Sequence, residues 1–200
     1  MRSFDELNNL EEYFSKMRIS DRQKEKRIEA AEEFIDIFLY FLERLEVEIA
    51  FGDSPQNVVD FFIEEYSEAV RKYNDNEDFI LAYVALLAAD ITETTLKHFG
   101  EEYFTSLERA TVLAANEANT VLNQKDYDDA IALGYTRKRW LTELDERVRP
   151  THEELEGVTI PINDLFVVGN AVMRFPHDYE MAGGFAEELS NCRCGMEYIR

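Results

Sequence analysis

Residues 127–144 read YDDAIALGYTRKRWLTEL, and the chain changes character inside them. Tyr127 to Leu133 reads as a short helix with Gly134 in the position just past its end, where glycine most often closes a helix. From Tyr135 onward, Tyr135, Arg137, Arg139 and Leu141 alternate with Thr136, Lys138, Trp140 and Thr142. That period of two belongs to an extended strand. The fold class expected is therefore α+β, with a mostly helical, acidic N-terminal region over residues 1–134 and a small α+β module over residues 135–200. Glycine and proline follow the same division: Gly52, Pro55 and Gly100 are the only ones before Gly134, and six glycines and three prolines stand from there on.

Upstream, apolar residues recur at helical spacing between clear stops. Phe4, Leu7, Leu10, Phe14 and Met17 suggest a short helix. Ser20–Asp21 can cap a longer one that runs to about Ala50, with Ile28, Ala31, Ile35, Phe38, Leu42, Leu45 and Ile49 as its apolar face and Gly52 as its stop. Ser54–Pro55 opens a third, proline taking the first helical position, where its missing N–H costs nothing. Asp75 and Asp78 open a fourth that is apolar nearly all round, which predicts a central place in a bundle. Gly100 ends it, and a fifth helix is expected from about Tyr103 to Asn123. The acidic faces Glu29/Glu32/Glu33 and Glu64/Glu65/Glu68 could in principle hold a metal pair, but a di-metal bundle needs Glu-x-x-His pairs. His98 is the one histidine in the first 135 residues, and Thr95 stands three before it.

Downstream, DERVRPTHEELEG reads as a charged turn and short helix ended by Gly157. VTIPIN and LFVVGN look like a strand pair or a strand and loop, with Pro161 confining the first to an edge. RFPHDYEMAGGF is a loop and NCRCGMEYI a terminal strand.

Two hundred residues, 46% of them hydrophobic, suffice for a packed core. The 42 Asp+Glu against 21 Lys+Arg leave a net charge of −21, and residues 136–200 account for only 12 of the acids and 8 of the bases. So acidic a chain repels the phosphate backbone at long range, leaving at most weak DNA contact, with Arg137-Lys138-Arg139 as the local basic spot. No apolar run nears the ~20 residues of a bilayer span, and the N-terminus lacks the pattern of a signal peptide. These features predict a soluble, intracellular-type protein without membrane contact. Two cysteines, Cys192 and Cys194, are too few for a disulfide framework and too close in sequence to bridge without strain, so a reducing compartment is expected.

His152, Cys192 and Cys194 are the constellation with metal-ligand chemistry, and two thiolates with an imidazole suit zinc, His177 or Asp178 being available as a fourth ligand. On a strand the two cysteines would share a face, with Arg193 opposite. Zinc sites take Cys-x-x-Cys spacing more easily than Cys-x-Cys, however, and the reading expected here is two small buried thiols beside a hydrogen-bonded histidine, with no cofactor. Arg147, Arg149 and Arg193 form either an anion site with His152 or, as expected here, an internal ion-pair network with nearby acids. Trp140 is expected to be a buried anchor rather than a stacking platform for nucleotides. Cys192 or Cys194 with His152 and Asp145 supplies the residue types of a thiol hydrolase, although nothing in the spacing selects that arrangement.

In order along the chain stand Lys138-x-Trp140, Asp145-x-Arg147-Val148-Arg149-x-x-His152, Leu155-x-Gly157, a Phe166 stretch, a Phe-Pro loop and Asn191-Cys192-Arg193-Cys194. This series resembles the phage Mu F-like head morphogenesis family over roughly residues 108–200, including the lead-in helix ERATVLAANEANTVLN. Where that family has a Pro-Gly-Asp-Pro loop, this chain has Pro176-His177-Asp178-Tyr179. The resemblance implies a structural, non-enzymatic minor head protein of a phage or prophage. Its partners would be the portal protein and other head proteins, with the chain as an oligomer on the portal vertex and an influence on DNA packaging or ejection. It would reside in the virion, and in the host cytoplasm during assembly. Some members continue into toxin domains after the CRC segment; with Arg200 six residues beyond Cys194, no such cargo is expected here. The alternatives from other classes are a cysteine- or metal-dependent hydrolase and a zinc-binding adaptor.

Overall fold

The computed structural model describes residues 10–183 and 186–200. Phe4 and Leu7 lie outside the described residues. Two compact units are present, one built around Glu29–Ala114 and the other joining Asn9–Ile28 to Ala115–Arg200. The units therefore do not divide at residue 134. The reason is that Tyr127 and Ala130, still helical, belong to the same buried cluster as Trp140.

From residue 10 to residue 134 the described chain contains helices and no strand: α1 (Leu10–Ser15), α2 (Asp21–Phe51), α3 (Gln56–Arg71), α4 (Glu77–Lys97), a short 3-10 turn at Glu102–Thr105, and α5 (Leu107–Ala132). At the head of α2, Ser20 Oγ accepts from the Gln23 N–H at 3.4 Å while the Gln23 side chain accepts from the Ser20 N–H at 3.1 Å, a reciprocal capping box. Pro55 stands one position earlier than expected, as the cap of α3. Asn76, not Asp75, caps α4, its side chain accepting from the Phe79 N–H at 3.1 Å.

In the first unit, the stripe that α2 buries is Ala30, Ala31, Phe34, Phe38, Phe41, Leu42 and Leu45. Ile28, Ile35 and Ile49, expected in it, are only half-buried. The aromatic rings decide this rotation: Phe34 meets Tyr66 edge-on at 4.9 Å and Phe41 stacks on Phe62 at 4.1 Å, contacts that isoleucine cannot replace. α4 buries Ile80, Tyr83, Val84, Leu87, Ala88 and Ile91 but leaves Leu81 and Leu86 exposed, so it is not enclosed on all sides as its composition suggested. By length and composition alone this helix could cross a membrane, contrary to the expectation that no apolar run nears that length.

The two helices expected over 103–133 are one. No breaker stands at residues 124–126, and Gln124–Asp128 at 2.9 Å and Lys125–Asp129 at 2.6 Å bridge successive turns there. At the end of α5, Gly134 (φ 74°) donates to the Ile131 carbonyl and Tyr135 to that of Ala130, the paired bonds that close a helix on a left-handed residue.

In the second unit a three-stranded antiparallel sheet has β1 (Arg137–Leu141) at its centre, between β2 (Thr159–Pro161) and β5 (Gly195–Ile199). Pro161 is on an edge strand, as its missing N–H requires. β3 (Phe166–Val168) pairs with β4 (Ala171–Met173), not with β2. Gly169 (φ 59°) makes that hairpin turn, and a Cβ there would lie 2.3 Å from Glu188 Oε1. Short helices α6 (Pro150–Glu153) and α7 (Ala186–Leu189) fill the connections. The terminal strand starts at Gly195, so Cys192 and Cys194 precede it rather than lie on it.

The loop that departs from the Pro-Gly-Asp-Pro pattern keeps the backbone that glycine would give. His177 has φ 63°, at a cost of roughly 1–2 kcal/mol for a side-chain-bearing residue. Its ring Nε2 reaches the Cys192 carbonyl oxygen at 2.5 Å, and the neighbouring Asp178 carboxylate accepts from the Arg174 N–H and guanidinium at 2.7–2.8 Å.

Candidate functional site

The alternation read in β1 has a consequence for charge. Lys138 and Trp140 are two residues apart, so the strand turns both inward, and both are fully buried while Arg137 and Leu141 are not. Trp140 packs edge-on against Phe166 at 5.1 Å and His152 at 5.6 Å. Its backbone is pinned as well, its carbonyl accepting from the Gly157 N–H and its N–H donating to the Val158 carbonyl.

The Lys138 ammonium lies over the rings of Tyr127 (5.0 Å) and Phe166 (5.5 Å) and has no hydrogen-bond partner among the described residues. The basic triplet therefore does not present three free cations, although Arg137 is exposed. Its middle member is inside, and Arg139 is engaged with Glu197 at 2.9 Å and Thr159 at 3.0 Å. Burial pulls the Lys138 pKa down to about 8. The unfolded chain thus holds more protons than the folded one between about pH 8 and pH 10, and stability rises with pH across that window. The expected rise is about 2 kcal/mol, from the size of the pKa difference. Lys138→Met should abolish it, as read by urea denaturation at pH 7.5 and 9.5. An equal rise in the variant would refute the assignment.

α6 starts with Pro150 in its first turn and brings His152 into the interior. There His152 Nδ1 lies 3.4 Å from the Cys194 sulfur and 3.5 Å from that of Cys192. On the other side of the ring, Nε2 is 3.1 Å from Glu188 Oε2, and the same carboxylate oxygen accepts from Thr151 Oγ1 at 2.9 Å. Asn191 adopts φ 56° and its N–H donates to Asn116 Oδ1 at 2.8 Å, which fixes the entry to the Cys-Arg-Cys segment. With the two sulfurs turned to His152, Arg193 faces the other way and meets Glu143 at 2.7 Å and Asp145 at 3.0 Å. Arg149 donates to the Ser190 carbonyl, and the Asp145 carboxylate accepts from the Arg147 backbone N–H at 3.0 Å. The arginines thus hold the 143–149 turn to the segment leading into β5.

The electrostatics follow from burial and contact. A hydrogen bond from Cys194 holds Cys192 well below the usual thiol range, with His152 and His177 adding to it against burial; Cys194, which donates that bond and is buried, is pushed up. For His152, burial works downward, but the bond to Cys192 and its charge leave the imidazole raised overall. Burial pushes Glu143 up to about 8, Arg193 opposing.

A thiolate, an imidazole and a carboxylate in a row can serve a nucleophile. The carboxylate in the row is Glu188, however, not the Asp145 expected from sequence, because Asp145 is spent on Arg193. The cysteines and histidine are all less than 5% exposed, which leaves the sulfurs out of reach of a substrate carbonyl. Neither His177 nor Asp178 joins His152, Cys192 and Cys194 as a close fourth ligand. Glu143, Thr151 and Glu188 were missed in the sequence, where each is one acid or hydroxyl among many.

The chain matches the model of the Phage Mu protein F like protein family over residues 64–197, and it belongs to that family. The family links it to the phage head and its morphogenesis. The match reaches back to Glu64 in α3, well before the region in which the sequence alone shows the resemblance. The chain is also 34% identical over 98 residues to the NAD(+)--arginine ADP-ribosyltransferase EFV of Enterococcus faecalis (strain ATCC 700802 / V583). That stretch is 47% of this chain and 19% of the relative, so the chain spans about a fifth of that protein's length. No solved structure matches it.

Proposed function

We propose that the chain is a minor head protein of a phage or prophage that associates with the portal vertex during head assembly, in the virion and, before that, in the host cytoplasm. It works by binding other head proteins rather than by catalysis and takes part in packaging or ejection of DNA through those contacts. What carries the reading is the family match over residues 64–197, whose signature side chains are consumed internally. The surface left for partners is acidic, in keeping with the net charge of −21. Such a surface favours a basic protein face, chiefly through the rate of encounter, and disfavours DNA. The transferase activity named for the Enterococcus relative belongs to a chain of which this one covers about a fifth, and the burial of Cys192, Cys194 and His152 speaks against a hydrolase built on them.

The test is co-purification with the portal protein of the same phage, set against retention on DNA at about 150 mM salt, where exposed charges are screened beyond ~8 Å. Portal association with little DNA retained is the expected result. Tight DNA binding with no portal association would overturn the proposal.

A further inference from the structure

We propose that His152 Nδ1 and the sulfurs of Cys192 and Cys194 bind one zinc ion, with Glu188 as the outer group that orients the histidine. The three donor atoms lie within 4.8 Å of one another, and all three residues are buried. The nitrogen-to-sulfur separations are 3.4 and 3.5 Å. A tetrahedral ion with Zn–S bonds near 2.3 Å and Zn–N bonds near 2.0–2.1 Å sets a nitrogen–sulfur edge of about 3.5 Å. The imidazole nitrogen thus already stands from each sulfur at the distance that zinc imposes.

The outer contacts fit the same ion. A metal-bound histidine usually donates its second ring N–H to a carboxylate, which fixes the tautomer and leaves the other nitrogen free to ligate. Here Nε2 faces Glu188 Oε2 at 3.1 Å, and Thr151 Oγ1 holds that oxygen at 2.9 Å. Gly169 is part of this arrangement, because a side chain there would collide with the Glu188 carboxylate.

A fourth position has both space and a polar neighbour. A cavity of about 20 Å³ beside His152, Cys192, Cys194 and Glu143, with Arg147, Arg149 and Arg193 also in its wall, is enough for a single water. Both Glu143 oxygens are buried and accept no hydrogen bond, although Arg193 stands at 2.7 Å. A water on the ion would supply the missing donor. Charge also balances, since two thiolates neutralise Zn²⁺. The soft sulfur pair selects zinc over magnesium, calcium or manganese. Cys-x-Cys spacing is tight for two ligands, and it works here because the extended segment sends both sulfurs to one side and Arg193 to the other.

The full chain, purified under reducing conditions, should carry one equivalent of zinc by elemental analysis. Titrated with Co²⁺ as a spectroscopic probe, the metal-free protein should show thiolate-to-cobalt charge transfer and the intense visible bands of a tetrahedral site. Cys192→Ser should weaken the charge-transfer band. Glu188→Gln, which keeps all three ligands, should preserve the spectrum while lowering metal affinity about 10–100-fold. A folded wild-type chain that takes up no zinc and gives no charge-transfer band with cobalt would overturn the proposal. Should Cys192→Ser fail to fold, the wild-type cobalt spectrum decides alone. Unchanged affinity in Glu188→Gln would remove Glu188 from the site.

Discussion

Trp140→Ala is expected to destabilise the second unit by about 3–5 kcal/mol, the range for truncating a fully buried large aromatic. The indole is 0% exposed and touches Phe166 and His152 edge-on, so its removal opens a cavity between the central strand and the histidine helix. The surrounding sheet is pinned by backbone bonds on both sides of Trp140 and cannot readily collapse into the space. Trp140 is the only tryptophan, so its own fluorescence cannot follow the variant. Far-UV circular dichroism in a urea titration can. Wild-type emission should be blue-shifted and resist quenching. A loss of under ~1 kcal/mol, the size expected of substitutions that do no core damage, would contradict the packing described.

Above about pH 8, where Glu143 is ionised, Arg193→Ala should cost a similar amount, about 3–5 kcal/mol, because removing one partner of a buried ion pair leaves the other uncompensated. Glu143 is that partner, with a side chain only 2% exposed. Asp145, one-third exposed, loses a contact but can turn to water and contributes little. Double replacement supplies the check. Arg193→Met combined with Glu143→Leu should recover most of the loss, since apolar groups can replace a buried pair at little net expense. Recovery of nothing would mean that Arg193 acts through its other contacts, not through Glu143.

The legible parts of this protein were those set by local rules. Helix stops at Gly52, Gly100 and Gly134 and the strand at 137–141 follow from backbone preferences and a two-residue period, and neither depends on distant neighbours. The family signature could be read because its residues come in a fixed order. Other features depended on partners far along the chain. The face that α2 buries was turned from its isoleucines by rings on α3, and no periodicity within α2 announces that. Lys138 goes inside because Trp140 does, against its own hydropathy. Arg27, also buried, bonds Asn119 at 3.1 Å and Asn123 at 2.6 Å, residues about ninety positions away. The histidine and cysteines of the candidate site were visible, whereas Glu188, 36 residues from His152, gains its meaning only from the fold.

The second unit is assembled from two stretches, Asn9–Ile28 and Ala115–Arg200, with the whole of Glu29–Ala114 made in between. On a ribosome the order of manufacture then matters. Glu29–Ala114 is continuous and can complete its contacts as soon as it clears the exit tunnel. Residues 10–28 emerge first and yet must wait for the C-terminal strand, since Ile19 packs against Gly195. At roughly 5–20 residues per second that delay is on the order of 10 s. Throughout it, Phe14 and Met17, which end up buried, have no finished core to enter. Early-made and last-to-settle, this segment is where a nascent-chain chaperone would have most to hold.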